Sequence, residues 1–342
     1  MPVLGPFRVF GARQDDPQTI YQYKFNLHVN FKYFGGQSAD TDSHGWDVLT
    51  DEGSRVLNTE VSFHHPGPLM PTITTVDKTE LYVKDWGTGR PVILLHGWPL
   101  SADSWDDQAM AIADAGYRAI AYDRRGFGRS TQPFSGYDYN TLADDLATVI
   151  AQTGAQDAVL VGFSMGGGEV ARYMSRHGGK NVSKVALIAS VVPFMLKTDD
   201  NPHGTPKETF DEMTQGMKAD RAKFFAGFFK DFYGVSMLSH PVSEELIANS
   251  CHVAMTAGLK GTLACAAAFA TTDFRPDLAH FKVPTLIIHG TDDKIVPIDA
   301  AGRAAAKIIA HSTLIEYEGA PHGLFATHKA RFTQDLLEFM RD

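Results

Sequence analysis

The sequence predicts an α/β fold: a mostly parallel central sheet with helices on both faces and a mainly helical cap. Two observations lead there. From Met70 onward, short apolar runs alternate with amphipathic segments of helical spacing, the pattern of strand–helix–strand units whose strands pair in parallel. One stretch, about 192–280, interrupts that alternation with Phe- and Met-bearing helical spacing, and it reads as a cap inserted between two strands.

Taken in order, "TITTV" and "ELYVKDWG" form a two-stranded hairpin, and "PVILLHG" (91–97) is a buried strand by its apolar run. Residues 101–115 have helical spacing. "YRAIAYD" (117–123) is a strand, and "YNTLADDLATVIAQTG" (139–154) an amphipathic helix stopped by Gly154. "DAVLVGFS" is a strand, "GGGEVARYMSRHG" a helix and "KVALIAS" (184–190) a strand. After the cap come strand "PTLIIHG" (284–290), a helix near 298–309, strand "STLIEYEG" and a last helix over 326–341. The regular α/β unit is therefore 70–342, with the cap inserted at about 192–280.

Residues 1–69 differ in kind. They are rich in Gly, Asp, Ser, Asn and His, show no helical periodicity, and carry one alternating patch, "YQYKFNLHVNFKYF" (21–34), that reads as a strand. "HHPGPLMP" (64–71) reads as a linker. We take 1–69 as an N-terminal extension of no assigned role, or as an upstream stretch joined to a gene that starts at Met70.

Composition removes several function classes. The chain of 342 residues is 44% hydrophobic and 21% charged, with a net charge of -9, which disfavours nucleic acid and anionic membrane surfaces as partners. No apolar run is long enough to cross a bilayer, and the N-terminus lacks a basic n-region, so no signal peptide is expected. Two cysteines, Cys251 and Cys265, make no disulfide framework. Cytoplasmic localisation is the default. Metal and haem motifs such as H-E-x-x-H and C-x-x-C-H do not occur.

The informative stretch is "VGFSMGGGEVARY" (161–173), with four glycines within seven residues around one serine. Gly162-Phe163-Ser164-Met165-Gly166 is a G-x-S-x-G pentapeptide between a strand and a helix. That context marks a nucleophile elbow, a sharp turn that holds the serine Oγ above the sheet. Larger side chains at Gly162 and Gly166 would collide, and Gly167 and Gly168 are expected to let the helix approach the sheet. A serine hydroxyl needs a base, and the base needs an orienting acid. "HGTDDKIVP" follows a strand and offers Asp292 and Asp293; "GAPHGL" (319–324) follows the last strand and offers His322. Both lie where α/β sheets carry their sites. Spacing alone does not choose between the two aspartates. An oxyanion hole needs two N–H donors: the backbone of Met165, and that of Trp98 in "HGWP", since Pro99 has no N–H. His96 reads as a loop-shaping residue. Trp98, Phe163 and Met195 adjoin the site loops and are the candidate substrate-pocket residues.

At this point "HGWPLSADSW", "YDRRGFGRS", "GFSMGGGEVARY" and "GAPHGL" resemble the cofactor-free bacterial haloperoxidases and aryl esterases, also called non-haem chloroperoxidases or perhydrolases, of the α/β-hydrolase fold. The resemblance runs from about Met70 to the end. It implies a Ser164–Asp293–His322 triad, with Asp293 chosen by the family pattern H-G-x-x-D, and an oxyanion hole at Trp98 and Met165. It implies no cofactor and no metal. Expected substrates are small carboxylic esters or acids, with hydrogen peroxide as a second acyl acceptor; Pro99 after that Trp goes with perhydrolysis. It also implies a homo-oligomer.

Rival chemistries use the same triad: a lactone or C–C bond hydrolase, or, in another class, a non-catalytic binding protein of this fold. "RAKFFAGFFKDFY" (221–233) spaces its phenylalanines as a cap core, with one or two of them as candidates to line an aryl pocket, "DRRG" (123–126) reads as a structural charge cluster, and the two cysteines as buried thiols.

Overall fold

The computed structural model describes residues 71–341. The extension 1–69, its expected strand at 21–34 and the alternative start at Met70 lie outside the described residues.

Eight strands form one sheet: β1 (Thr72–Thr74), β2 (Glu80–Gly87), β3 (Pro91–Leu95), β4 (Arg118–Tyr122), β5 (Ala158–Phe163), β6 (Val182–Ile188), β7 (Thr285–Gly290) and β8 (Ser312–Tyr317). Their order is β1-β2-β4-β3-β5-β6-β7-β8. The first two pairings, β1 with β2 and β2 with β4, are antiparallel; the others are parallel. Residues of β3, β5 and β7 are buried throughout, as expected for parallel strands covered on both faces.

The helices on this sheet are α1 (Asp106–Asp114), α2 (Tyr139–Gln152) and α3 (Met165–Arg176). Asp138 caps α2 by accepting the N–H groups of Asn140 and Thr141 at 3.1 Å, and Gly154, at φ 65°, takes the left-handed conformation that ends it. The cap holds α4 (Lys207–Phe232), α5 (Glu244–Thr256), α6 (Leu259–Thr271) and α7 (Arg275–Leu278); α8 (Gly302–Ile308), α9 (Leu324–Thr327) and α10 (Lys329–Met340) follow. Among the described residues no single helix is long and apolar enough to cross a membrane.

Two expected helices are subdivided and one is shortened. The 101–115 segment starts as a 3₁₀ turn, Ala102–Trp105, because the Ser101 side chain accepts the Asp103 N–H. The 298–309 helix begins only at Gly302, after a turn in which Pro297 O takes the Ala300 and Ala301 N–H groups. The last helix breaks at His328, whose φ of -123° lies outside the helical region. Within the cap, α4 kinks at Asp220 (φ -156°), and the Asp220 carboxylate caps the second half by accepting Lys223 N–H at 2.9 Å.

The "DRRG" segment leaves the end of β4 as a buried charge cluster. The Arg125 guanidinium donates twice to Asp145 of α2, both bonds at 2.6 Å, and twice to Asp77 in the β1–β2 turn, at 2.8 and 3.2 Å. It braces the end of β4 against two other elements. Replacing Asp145 by Ala would leave that guanidinium short of its bidentate partner in the core. The expected cost is about 3–5 kcal/mol of unfolding free energy, read from urea denaturation; a loss below about 1 kcal/mol would mean that Asp77 and water replace the pair.

Candidate active site

Ser164 sits between β5 and α3 with φ 53° and ψ -118°. A non-glycine residue there stores roughly 1–3 kcal/mol of strain. The surroundings hold it: the Ser164 N–H donates to Ile188 O at 2.8 Å, and its carbonyl accepts from Gly167 and Val191 N–H at 3.0 and 3.2 Å. Space around the turn is tight. A Cβ on Gly162 would lie 2.7 Å from the Gly166 carbonyl oxygen, and one on Gly166 would lie 2.5 Å from the Leu95 carbonyl oxygen. Gly167 and Gly168 instead let α3 approach Ser190, and Phe274 and Tyr139, respectively. Gly167 also lies against β5, since a Cβ on Gly162 would sit 2.7 Å from its Cα, while Gly168 faces α2 and the residue before α7.

The loops after β7 and β8 bring Asp293 and His322 to this serine. His322 Nε2 lies 3.0 Å from Ser164 Oγ, and His322 Nδ1 lies 2.7 Å from Asp293 Oδ2. Asp293 Oδ1 accepts the N–H groups of Ile295 and Val296 at 2.9 and 2.8 Å. His289, at the end of β7, adds its Nε2 at 3.3 Å from Oδ2. Asp292, the other candidate, is exposed, and its N–H donates to Ala320 O. Burial by itself would raise the Asp293 pKa. The His322 imidazole beside it, with hydrogen bonds from His289 and His322, outweighs burial and holds the carboxyl well below the usual carboxylate range. A carboxylate that accepts from Nδ1–H leaves Nε2 bare and aimed at the serine hydroxyl, which is the tautomer a general base requires.

The site is closed and aromatic. Ser164 is only 5% exposed and His322 fully buried. The His322 ring lies between Phe163 and Phe232, each with ring centroids 5.0 Å away. Trp98 is wedged into the cap: its indole donates to Thr262 O at 3.0 Å and packs on Phe225, Phe228 and Phe269. Met165, fully buried, is the first residue of α3, so its N–H has no acceptor within the helix. A Cβ on Gly97 would lie 3.0 Å from Ser164 Cβ, which puts the Gly97–Trp98 peptide against the serine. Met195 is buried in the same core, with its carbonyl accepting Thr205 N–H at 2.7 Å.

The sequence reading missed His289 and left open which phenylalanines of 221–233 reach the site. Phe232 sat inside a phenylalanine run whose helical spacing signals core, and it is core as well as a wall of His322. His289 had a signal: β7 ends in His289-Gly290, and β3 is followed by His96-Gly97. Both cysteines are free; Cys265 is buried, its thiol pushed up to about 12 by burial, while Cys251 is only half-buried. Among the described residues no three His, Cys, Asp or Glu side chains are grouped to hold a metal ion. A cavity of about 620 Å³ lined by Arg90, Arg118, Asp157 and Ser183 lies at the opposite ends of the strands and does not touch the triad.

Comparison with known proteins agrees with this geometry. Residues 90–329 match the family described as alpha/beta hydrolase fold. The chain is 44% identical over 273 residues to the non-heme chloroperoxidase CPO-A1 of Kitasatospora aureofaciens, covering 79% of this chain and 99% of that protein. It is 42% identical to the bifunctional esterase/perhydrolase DCH of Acinetobacter calcoaceticus, covering 80% of this chain and all of that one. The crystal structure of a bromoperoxidase from Bacillus anthracis superposes with a TM-score of 0.77 at 43% identity, covering 80% of this chain and 100% of that chain.

The Asp293 environment gives a signed pH dependence. Its folded pKa is lowered, so the unfolded chain takes up the proton more readily. The stability it supplies is complete above the ordinary carboxylate pKa of about 4 and is lost as pH falls towards the folded value. The stability gap between wild type and Asp293→Asn, from urea unfolding, is expected to be flat above about pH 5 and to narrow below about pH 4. A gap that stays constant into strong acid would show that the carboxylate charge is not what the fold stabilises.

Proposed function

The chain belongs to the alpha/beta hydrolase fold family, and on that premise we propose that it is a serine hydrolase of small carboxylic, chiefly aryl, esters that also transfers the acyl group to hydrogen peroxide. The observation that carries this reading is the unbroken line Ser164 Oγ–His322–Asp293, held at 3.0 and 2.7 Å on a strained strand–helix turn. The esterase and perhydrolase activities of the relative from Acinetobacter calcoaceticus support the two acyl acceptors. The aromatic walls at Phe163, Trp98 and Phe232 favour a short, apolar ester over an extended polar one.

The chemistry runs through an acyl-enzyme. Ser164 Oγ attacks the ester carbonyl carbon while its proton passes to His322 Nε2. The carbonyl π electrons move onto oxygen, which takes hydrogen bonds from the N–H groups of Trp98 and Met165. The C–O bond to the leaving alcohol breaks, and His322 returns the proton to that alcohol. Water or hydrogen peroxide then attacks the acyl carbon, losing a proton to His322. The Ser164 ester bond breaks with return of that proton to Oγ, releasing a carboxylic or a peroxycarboxylic acid. Free peroxyacid, with a proton, oxidises halide to hypohalous acid and becomes the carboxylic acid, which accounts for haloperoxidase activity. Asp293 stays ionised throughout and steadies the imidazolium.

The test is p-nitrophenyl acetate turnover by wild type beside Ser164→Ala, with fluorophosphonate labelling of Ser164. Wild type should be labelled, and the substitution should cost about a thousandfold or more in kcat/KM, roughly 4 kcal/mol of transition-state stabilisation. Adding peroxide should divert acyl groups to peracid. An unlabelled wild type, or one no faster than Ser164→Ala, would remove the hydrolase reading and leave a non-catalytic binding protein.

A further inference from the structure

The peptide between Gly97 and Trp98 is trans and planar, so its C=O and N–H point in opposite directions. Whatever fixes the Gly97 carbonyl also fixes the Trp98 N–H. Two groups meet that carbonyl. One is the Leu100 N–H at 3.0 Å, and the other is Nδ1 of His96 at 2.9 Å.

The tautomer of His96 follows from its other nitrogen. The backbone N–H of Arg124 points at His96 Nε2, 3.0 Å away, and an amide N–H can only donate. Nε2 is therefore bare. In a neutral ring the proton is then on Nδ1, and its acceptor is Gly97 O. Arg124 Nη1, 3.3 Å from Nδ1, faces a donor and makes no bond there. The guanidinium is engaged elsewhere, through Nη2 to His96 O at 2.6 Å and through Nε to the buried Glu169. The ring is fully buried, and burial together with the Arg124 charge keeps it neutral by driving its pKa well below the usual value. Neither nitrogen is left to exchange a proton with substrate.

Resting on the oxyanion-hole reading given above, we propose that His96 is a positioning residue of that hole: its Nδ1–H holds the Gly97 carbonyl so that the Trp98 N–H faces the oxygen that gains charge beside Ser164. The same bond polarises the peptide and makes that N–H a stronger donor. The brace reaches the second donor too. Glu169, in α3 one turn after Met165, takes Arg124 and the Tyr122 hydroxyl, so the helix carrying Met165 and the loop carrying Trp98 share one buried anchor.

Two substitutions separate the nitrogens. In His96→Asn the amide nitrogen overlies Nδ1 and keeps the donor to Gly97 O. In His96→Gln the amide oxygen overlies Nε2 and keeps the acceptor for Arg124 N–H, and the donor to Gly97 O is lost. With the full chain and concentrations set by fluorophosphonate titration of Ser164, His96→Gln should lose about 10–100-fold in kcat for p-nitrophenyl acetate with KM changed by less than about threefold, and His96→Asn should recover most of it. Inhibition by phenylboronic acid, a mimic of the tetrahedral species, should weaken in parallel with kcat. In wild type, nitrogen-15 NMR of labelled histidine should show His96 as the Nδ1–H tautomer at neutral pH, a readout independent of whether either variant folds. An Nε2–H tautomer or an imidazolium would overturn the proposal, as would His96→Gln with unchanged kcat in an active wild-type background. A wild type inert towards esters would overturn the hole itself, and this role with it.

Discussion

Everything at this site depends on one backbone constraint, the conformation of Ser164. Strand β5 must stop, and α3 must begin, within one residue held at positive φ. That geometry survives because the ends of the parallel strands are laced to each other beyond their formal ladders. Ser164 N–H reaches Ile188 O at the end of β6, and Ala189 N–H reaches Ile288 O in β7, both at 2.8 Å. Thr291 N–H reaches Tyr317 O at the end of β8, and Asp292 N–H reaches Ala320 O in the loop beyond it. The loops that carry Ser164, Asp293 and His322 thus follow β5, β7 and β8 along one edge of the sheet, with the end of β6 linking the first to the second. A displacement of Ser164 would have to propagate through those hydrogen bonds, so the sheet supplies the rigidity that offsets the strain.

The second dependence is electrostatic. Asp293 carries its charge in the interior, where an unpaired carboxylate would be neutralised. Three hydrogen bonds converge on its two oxygens, two backbone N–H groups on Oδ1 and His322 Nδ1 on Oδ2, and His289 Nε2, which meets Val296 O at 2.9 Å, stands 3.3 Å from Oδ2. Full satisfaction is what lets burial strengthen the Asp293–His322 bond instead of protonating the acid. The two phenylalanine rings beside His322 complete this arrangement by keeping bulk water from the imidazole.

The fold and the local chemistry were legible in the sequence for different reasons. Strand–helix alternation identified the parallel sheet because each buried strand must be a continuous apolar run. The elbow was legible because steric crowding at Gly162 and Gly166 leaves no choice of residue. Asp292 and Asp293 were not separable by spacing; only the path of the loop after β7, which turns one inward and the other to solvent, distinguishes them. Helix ends were misjudged where a side chain or a proline turn tightened the first turn, as at Ser101 and Pro297. The role of Phe232 was hidden because a residue that packs the cap and a residue that walls the base carry the same apolar signature. His289 and His96 were hidden because a histidine's role depends on which ring nitrogen is occupied, which no residue pattern states.

That overlap at Phe232 bears on how the cap relates to the core. Phe232 ends α4, contacts Phe228 and Phe229 on its own helix, and also contacts His322 and Phe325 on the catalytic side. Trp98 makes the same connection from the other direction: its backbone belongs to the loop beside Ser164, while its indole is seated among Phe225, Phe228 and Phe269 of the cap. The cap is therefore not a separable lid that only selects substrates. Its aromatic core is continuous with the walls of the base and with the loop that bears a hydrogen-bond donor, so a change of packing in α4 shifts both specificity and the catalytic geometry. The sheet edge fixes where the triad stands, and the cap fixes how dry it is and what can reach it.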